Sequence, residues 1–274
     1  MSCASDGYRD TMSACLSVLA ILYISVCVSW GQLVVNVKNR GGDVIVESIN
    51  ANTTDDTIQL EFKTADGTFV TQFIDFKSEV QILRALILGE EERGQTQYQI
   101  LCFVLRFVKN EFISSDAMSK LRQKNPSAIR TPEDDRGQEL QQLDLLVDLD
   151  KSQMISPVIY DMCREAKDTT FTKEADVKLL SKFLGKDAST LASATKHFPF
   201  TKLPRCSELV DLSKPCLCHY EICVGWYPCG LKYCRGKDST GRVVSYRCGI
   251  KTCRKCRVFE HYARQKMLCI WDEV

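Results

Sequence analysis

From residue 33 onward the chain alternates apolar and polar positions in short runs: Leu33–Val37, Asp43–Ile49, Thr57–Phe62 and Thr68–Phe76. A period of two in β-branched and aromatic residues predicts strands, because successive side chains point to opposite faces. Arg40-Gly-Gly-Asp43 and Ala65-Asp-Gly67 supply turn chemistry between them. The simplest arrangement is an antiparallel meander with one face on a core.

The pattern then loosens. Lys77–Glu92 has apolar residues at 80, 82, 83, 86 and 87, which suits a helix or a strand equally. Tyr98–Val108 is almost wholly apolar and predicts a central strand. Ser114 or Ser115 is placed to cap a helix running to Lys124, stopped by Pro126. The charged, proline-containing stretch 125–138 reads as a mobile loop, and Leu143–Leu149 alternates as a strand. Ser156-Pro157 opens a helix through Ala166, and Val177–Leu184 is a second amphipathic helix. The fold class expected is α+β: a mostly antiparallel sheet with flanking helices, followed by a small disulfide-rich module.

An apolar run from Leu16 to Trp30 is too short to span a bilayer. Ser29-Trp30-Gly31 resembles a signal-peptidase site, so residues 1–31 read as a signal peptide, with Met1 or Met12 as the working start. The divisions expected are therefore signal 1–31, an α+β domain 32–184, a linker 185–205 and a cysteine-rich module 206–274. Secretion, with no stable membrane insertion after cleavage, is the expected localisation.

Cysteine usage agrees. Of 15 cysteines, three fall in the signal segment and 12 remain, an even number suited to an oxidising compartment. Cys102 and Cys163 stand alone in the larger domain and are expected to pair. Ten more (Cys206, Cys216, Cys218, Cys223, Cys229, Cys234, Cys248, Cys253, Cys256 and Cys269) read as five bridges that replace a core. The alternative is structural zinc on Cys216-Leu-Cys218-His219 and Cys253-Arg-Lys-Cys256, but the remaining spacings supply no second matched pair, so neither metal nor cofactor is expected.

Balanced composition, with net charge +1, names no partner and excludes a disordered chain. The three histidines, His197, His219 and His261, all lie after the larger domain, and no nucleophile, P-loop or dinucleotide motif occurs, so no enzyme is expected. Between Lys232 and Arg257 nine Lys or Arg face one acid, Asp238. In a secreted chain that stretch suits a glycosaminoglycan rather than nucleic acid, with Lys251, Arg254, Lys255 and Arg257 as the candidate contacts, or it is a solvated face. Asn52-Thr-Thr54 is a glycosylation sequon in a polar stretch.

Arg84-Ala-Leu-Ile-Leu-Gly-Glu90, Ala117–Pro126, Lys214-Pro-Cys-Leu-Cys-His-Tyr220, Trp226-Tyr-Pro-Cys229 and Leu268–Glu273 together resemble the Out at first family over the whole mature chain. The resemblance implies a secreted protein, and within it Cys223 and Cys256 look like additions that bridge each other. Residues 32–170 are also similar to the BRICHOS domain, through Ile74-Asp75-Phe76-Lys77, Cys102 in an apolar strand and Cys163 in a helix. That likeness implies a chaperone for extended apolar, β-prone segments, and a half-buried, pH-sensitive carboxylate at Asp75. The competing job is an extracellular factor that binds a receptor or matrix through the basic module.

Overall fold

The computed structural model describes residues 31–96, 98–198 and 202–272; the signal segment expected over residues 1–31 lies outside them except for Gly31. Six strands follow one another: β1 (Gly31–Lys38), β2 (Val44–Asn52), β3 (Thr57–Lys63), β4 (Phe69–Asp75), β5 (Val80–Leu88) and β6 (Tyr98–Arg106). Each pairs antiparallel with the next, as the alternation predicts. The ambiguous 77–92 segment is a strand, because Val80, Ile82, Leu83, Ala85 and Ile87 bury side chains on both faces of the sheet.

The complete sheet is mixed, which corrects the expectation of a mostly antiparallel one. Four short strands extend it: β7 (Ile129–Arg130), β9 (Leu145–Val147), β10 (Thr170–Thr172) and β11 (Thr195–His197). The order is β11-β9-β10-β6-β5-β4-β3-β2-β1-β7, with β1/β7 and β6/β10 parallel. A second sheet holds β8 (Asp134–Gln142) and a long hairpin of β12 (Cys216–Lys237) and β13 (Val243–Ala263), with β8 parallel to β13. These parallel pairs come from two- to nine-residue strands that return over long connections, where no alternation marks them.

Helices are short. They are α1 (Ser115–Ser119), α2 (Pro157–Cys163), α3 (Glu174–Leu184) and α4 (Ala188–Ala192). The expected 114–124 helix closes after one turn, with Ser114 Oγ accepting from the Ala117 N–H. The stretch 125–138 is not one loop, since it contains β7 and the start of β8.

Three layers result. One face of the larger sheet packs against the hairpin and α1, through Leu33, Val35, Ile49, Leu60, Phe103, Trp226 and Phe259. The other face packs against α2, α3 and α4, through Ile82, Val104, Ile159, Val177 and Leu180. Phe103 of β6 and Phe259 of β13 stack with ring centroids 4.1 Å apart, so the amino-terminal sheet and the cysteine-rich region share one core. Gly31–Val274 is one compact unit. The expected linker 185–205 carries α4 and β11, which pairs with β9, so it marks a change of sequence character and not a break in the fold.

Candidate functional site

An open cleft of about 660 Å³ lies where β1, α1 and the hairpin meet. Its apolar lining comes from four stretches of chain: Leu33 and Val35, Ala117 and Leu121, Trp226 and Leu231, and Ile250. Leu33 and Val35 reach it because they occupy the buried phase of β1. On the outer side of β1 the ladder to β7 covers only Asn36 and Val37 among the described residues. The volume falls within the usual range of ligand sites, and the lining is mostly apolar with a few polar groups, as such sites are.

The polar groups are chiefly cations. Lys120, Arg122, Arg130 and Arg247 line the cleft, with Glu133 as its one acid among the described residues. Glu133 is held by Lys232 at 2.6 Å, and Lys120 by Asp116 at 2.8 Å. Arg122 donates to the Ser119 and Leu121 carbonyls, and among the described residues Arg122, Arg130 and Arg247 have no carboxylate partner. Gln123 also lines the cleft, and its buried Nε2 has no hydrogen-bond partner.

Past this cleft the hairpin continues as a free two-stranded ribbon. β8 leaves β13 at Cys253, and residues 232–237 and 243–249 are almost wholly exposed. Cys234–Cys248 staples the ribbon, and Tyr246 covers Gly236. By the strand's two-residue period, Tyr233, Arg235 and Lys237 follow Leu231 on the face that opens into the cleft. Arg235, Lys237 and Arg242 likewise have no carboxylate partner among the described residues. Asp238 is occupied in the turn, accepting from the Thr240 and Arg242 N–H groups.

The four cations expected to meet a polyanion do something else. Lys251 pairs with Asp134 at 2.9 Å, Arg254 with Asp135 at 3.2 Å, Lys255 with Glu139 at 2.7 Å and Arg257 with Glu111 at 3.3 Å. Lys255 and Arg257 side chains are only 11% and 6% exposed. The acids come from β8 and from the turn before α1, so the basic run of β13 is matched by chain remote in sequence. Asp135 is held below the usual carboxylate range by the Gly137 N–H and then by Arg40.

Sequence reasoning missed Glu47, which is fully buried in β2. The register of β12 against β13 slips between Val224 and Tyr227, leaving Gly225 and Trp226 without ladder partners. Glu47 Oε1 accepts both orphaned N–H groups, at 2.9 and 3.3 Å, while Oε2 has no partner. Burial raises its pKa to about 8, only partly opposed by those two N–H groups. Gly225 permits the approach: a Cβ there would lie 3.0 Å from Val37 Cγ1 and 3.1 Å from Glu47 Oε1. A signal was present, for Glu47 occupies the inward phase of β2 with Ile45, Ile49 and Ala51.

Asp75 ends β4 at 9% exposure, and its carboxylate accepts the Lys77 and Ser78 N–H groups and the Ser78 hydroxyl. It therefore fastens the β4–β5 turn. Asn52 Oδ1 accepts the Thr54 and Asp55 N–H groups at the end of β2, and its Nδ2 donates to Asp55.

Cys102 pairs with Cys163, and Cys223 with Cys256, as expected. The remaining bridges are Cys206–Cys216, Cys218–Cys269, Cys229–Cys253 and Cys234–Cys248. Three of the six are rungs across the β12/β13 hairpin. His261 is buried against Phe103, Phe171 and the Phe259 carbonyl, and desolvation drives its pKa down to about 4, so it is a neutral core side chain. His219 Nε2 lies 2.7 Å from Glu260 Oε2. Among the described residues no helix is long and apolar enough to cross a membrane.

Fold and site thus define a sheet-rich, disulfide-stapled protein that presents an apolar cleft beside a basic ribbon. Family comparison places it: the Out at first model matches residues 31–180 and the Out at first, C-terminal model residues 205–273. The chain belongs to the Out at first family. It is 51% identical over 275 residues to the Out at first protein of Drosophila virilis, across 97% of this chain and 90% of that one. It is 53% identical over 252 residues to the Out at first protein of Drosophila melanogaster, across 88% of this chain and 52% of that protein. No solved structure matches.

Proposed function

We propose that this chain is a secreted, non-enzymatic binding protein, a BRICHOS-like chaperone that holds extended apolar segments of other extracellular proteins. The observation that carries the reading is the cleft beside β1, apolar across strand, helix and hairpin. An extended segment lying there would bury alternate side chains against Leu33, Leu121, Trp226 and Ile250 and could hydrogen-bond to the side of β1 that β7 leaves free. The Cys102–Cys163 bridge behind the sheet and Asp75 at the end of β4 support the BRICHOS likeness. Secretion rests on the apolar run Leu16–Trp30 and on twelve cysteines that all pair.

The competing reading, a receptor- or glycosaminoglycan-binding factor acting through Lys251, Arg254, Lys255 and Arg257, is less favoured because those four are engaged by internal acids. Fluorescence polarisation with labelled peptides of alternating Val and Thr tests the proposal on the full secreted protein. Binding is expected, together with slower amyloid growth of a β-prone peptide. Leu121→Glu, which sets a charge in the cleft, should abolish both while the thermal midpoint holds. Equal affinity in that variant would move the site elsewhere.

A further inference from the structure

The reading above leaves the cations unexplained. A cleft for apolar segments alone needs no charge, and four basic side chains lining one cleft carry a desolvation cost whenever an uncharged occupant covers them. Arg122, Arg130 and Arg247 have nothing anionic to meet among the described residues, in contrast to the neighbouring Lys251, Arg254, Lys255 and Arg257, each of which does. The same chain thus gives carboxylates to the cations beside β8 and none, among the described residues, to the three arginines of the cleft. The unsatisfied set also continues beyond the cleft, since Arg235 and Lys237 follow Leu231 along the ribbon at the roughly 7 Å spacing of alternate strand residues. Gln123 Nε2 adds a buried donor without an acceptor in the cleft itself. The groups here that meet no carboxylate among the described residues are all donors, and all but Gln123 are positively charged.

We infer that the segment held in this cleft is acidic as well as apolar: its apolar residues lie between β1, Leu121, Trp226 and Ile250, and a flanking run of Asp or Glu extends along the ribbon over Arg247, Arg235 and Lys237. This rests on the proposed function and narrows it to one chemistry of client. Carboxylates would satisfy the arginine forks in bidentate fashion, which a point charge such as Lys does less well, and three of the four cleft cations are arginines. Such a segment is held apart from its own copies by its charge until the cleft covers its apolar part. The disulfide at Cys234–Cys248 holds the ribbon in the extended form that a strand-like flank needs.

The test uses the full secreted protein and three peptides that share one alternating Val/Thr core, flanked by four Glu, four Ser or four Lys. In 50 mM salt the Glu peptide should bind about tenfold tighter than the Ser peptide, the combined effect of several exposed ion pairs, and the Lys peptide should bind weakest. The Glu-to-Ser ratio should shrink toward one in 500 mM salt. In the double variant Arg130→Gln/Arg247→Gln the ratio should also approach one. If that variant does not fold, the salt series on the wild-type protein still decides. Measurable binding of all three peptides with equal affinity overturns this inference and leaves the proposed function standing. No binding of any peptide overturns both. If a heparin oligosaccharide, which has no apolar core, binds through Arg130 and Arg247 as tightly as the Glu peptide, the cations form a general polyanion site and the inference is overturned.

Discussion

Replacing Glu47 by Gln should remove most of the pH dependence of stability on the alkaline side. In the folded chain this carboxyl titrates near pH 8, against 4.5 as the ordinary value that applies when the chain is unfolded. Between those two pH values the folded state keeps a proton that the unfolded state has lost, so raising the pH favours unfolding. The contribution is fully present below pH 4.5, is lost as pH rises to about 8, and changes no further above that. Each pH unit carries about 1.4 kcal/mol, which bounds the whole span at about 5 kcal/mol. Gln keeps the Oε1 acceptor for Gly225 and Trp226 but cannot ionise. Its amide nitrogen would stand where Oε2 has no partner, at a cost of about 1–3 kcal/mol. The variant should therefore be the less stable one at pH 4.5 and the more stable one at pH 8, with the curves crossing between. Urea unfolding without reductant, at half-unit steps from pH 6.5 to 8.5, measures the relevant limb. That range lies above 6.5, the ordinary value of the buried His261. A variant that retains the wild-type slope there would refute the argument and return the carboxyl to an ionised, hydrated state.

Other perturbations have equally definite outcomes. His261, neutral in the core with a pKa of about 4 against 6.5, contributes stability that is lost as pH falls through that interval, so His261→Phe should flatten the acid limb of a urea series carried from pH 6.5 down to 4. Removing Cys102 and Cys163 together, which opens a loop of 61 residues, should cost about 4 kcal/mol on the loop-entropy model, read as a lower urea midpoint. Arg257→Ala would remove one of two cations from the partly exposed Glu111, which keeps Lys255 at 3.2 Å, and should cost about 1–3 kcal/mol, whereas Lys251→Ala, whose pair with Asp134 is half exposed, should cost under about 1 kcal/mol by thermal melting. Gly225→Ala pushes a methyl against Val37 and Glu47 Oε1 and should cost about 1–3 kcal/mol by the same melt.

Period-two alternation made β1 to β4 legible at once, since each buries one phase against the hairpin. The pairing of Cys102 with Cys163 followed from their isolation in the larger domain. β8 was hidden because Asp-Asp-Arg-Gly-Gln-Glu-Leu-Gln-Gln buries one side chain, Gln141, so its strand character comes from β13 and not from its own residues. The same pairing explains why the basic run of β13 reads differently in the sequence and in the fold. A basic run looks free in a linear sequence, and only the fold brings Asp134, Asp135, Glu139 and Glu111 against it. The cleft was illegible for a similar reason, being assembled from segments around residues 33, 121, 226 and 250. Glu47 was readable in principle, as a charged residue in an apolar phase, but its purpose depends on a bulge nearly 180 residues away.

The disulfides also decide how the chain would respond to cutting. Among the described residues Cys102–Cys163 lies wholly before the cysteine-rich region and the other five bridges lie wholly within 206–269, so none of the six crosses between them. In covalent terms the described residues form two knots on one string, joined by the backbone between residues 163 and 206. A protease that nicks that stretch would leave a two-chain particle held by the Phe103–Phe259 stack, the β8/β13 ladder and the two hydrogen bonds to Glu47. Detergent would separate its halves without any reductant.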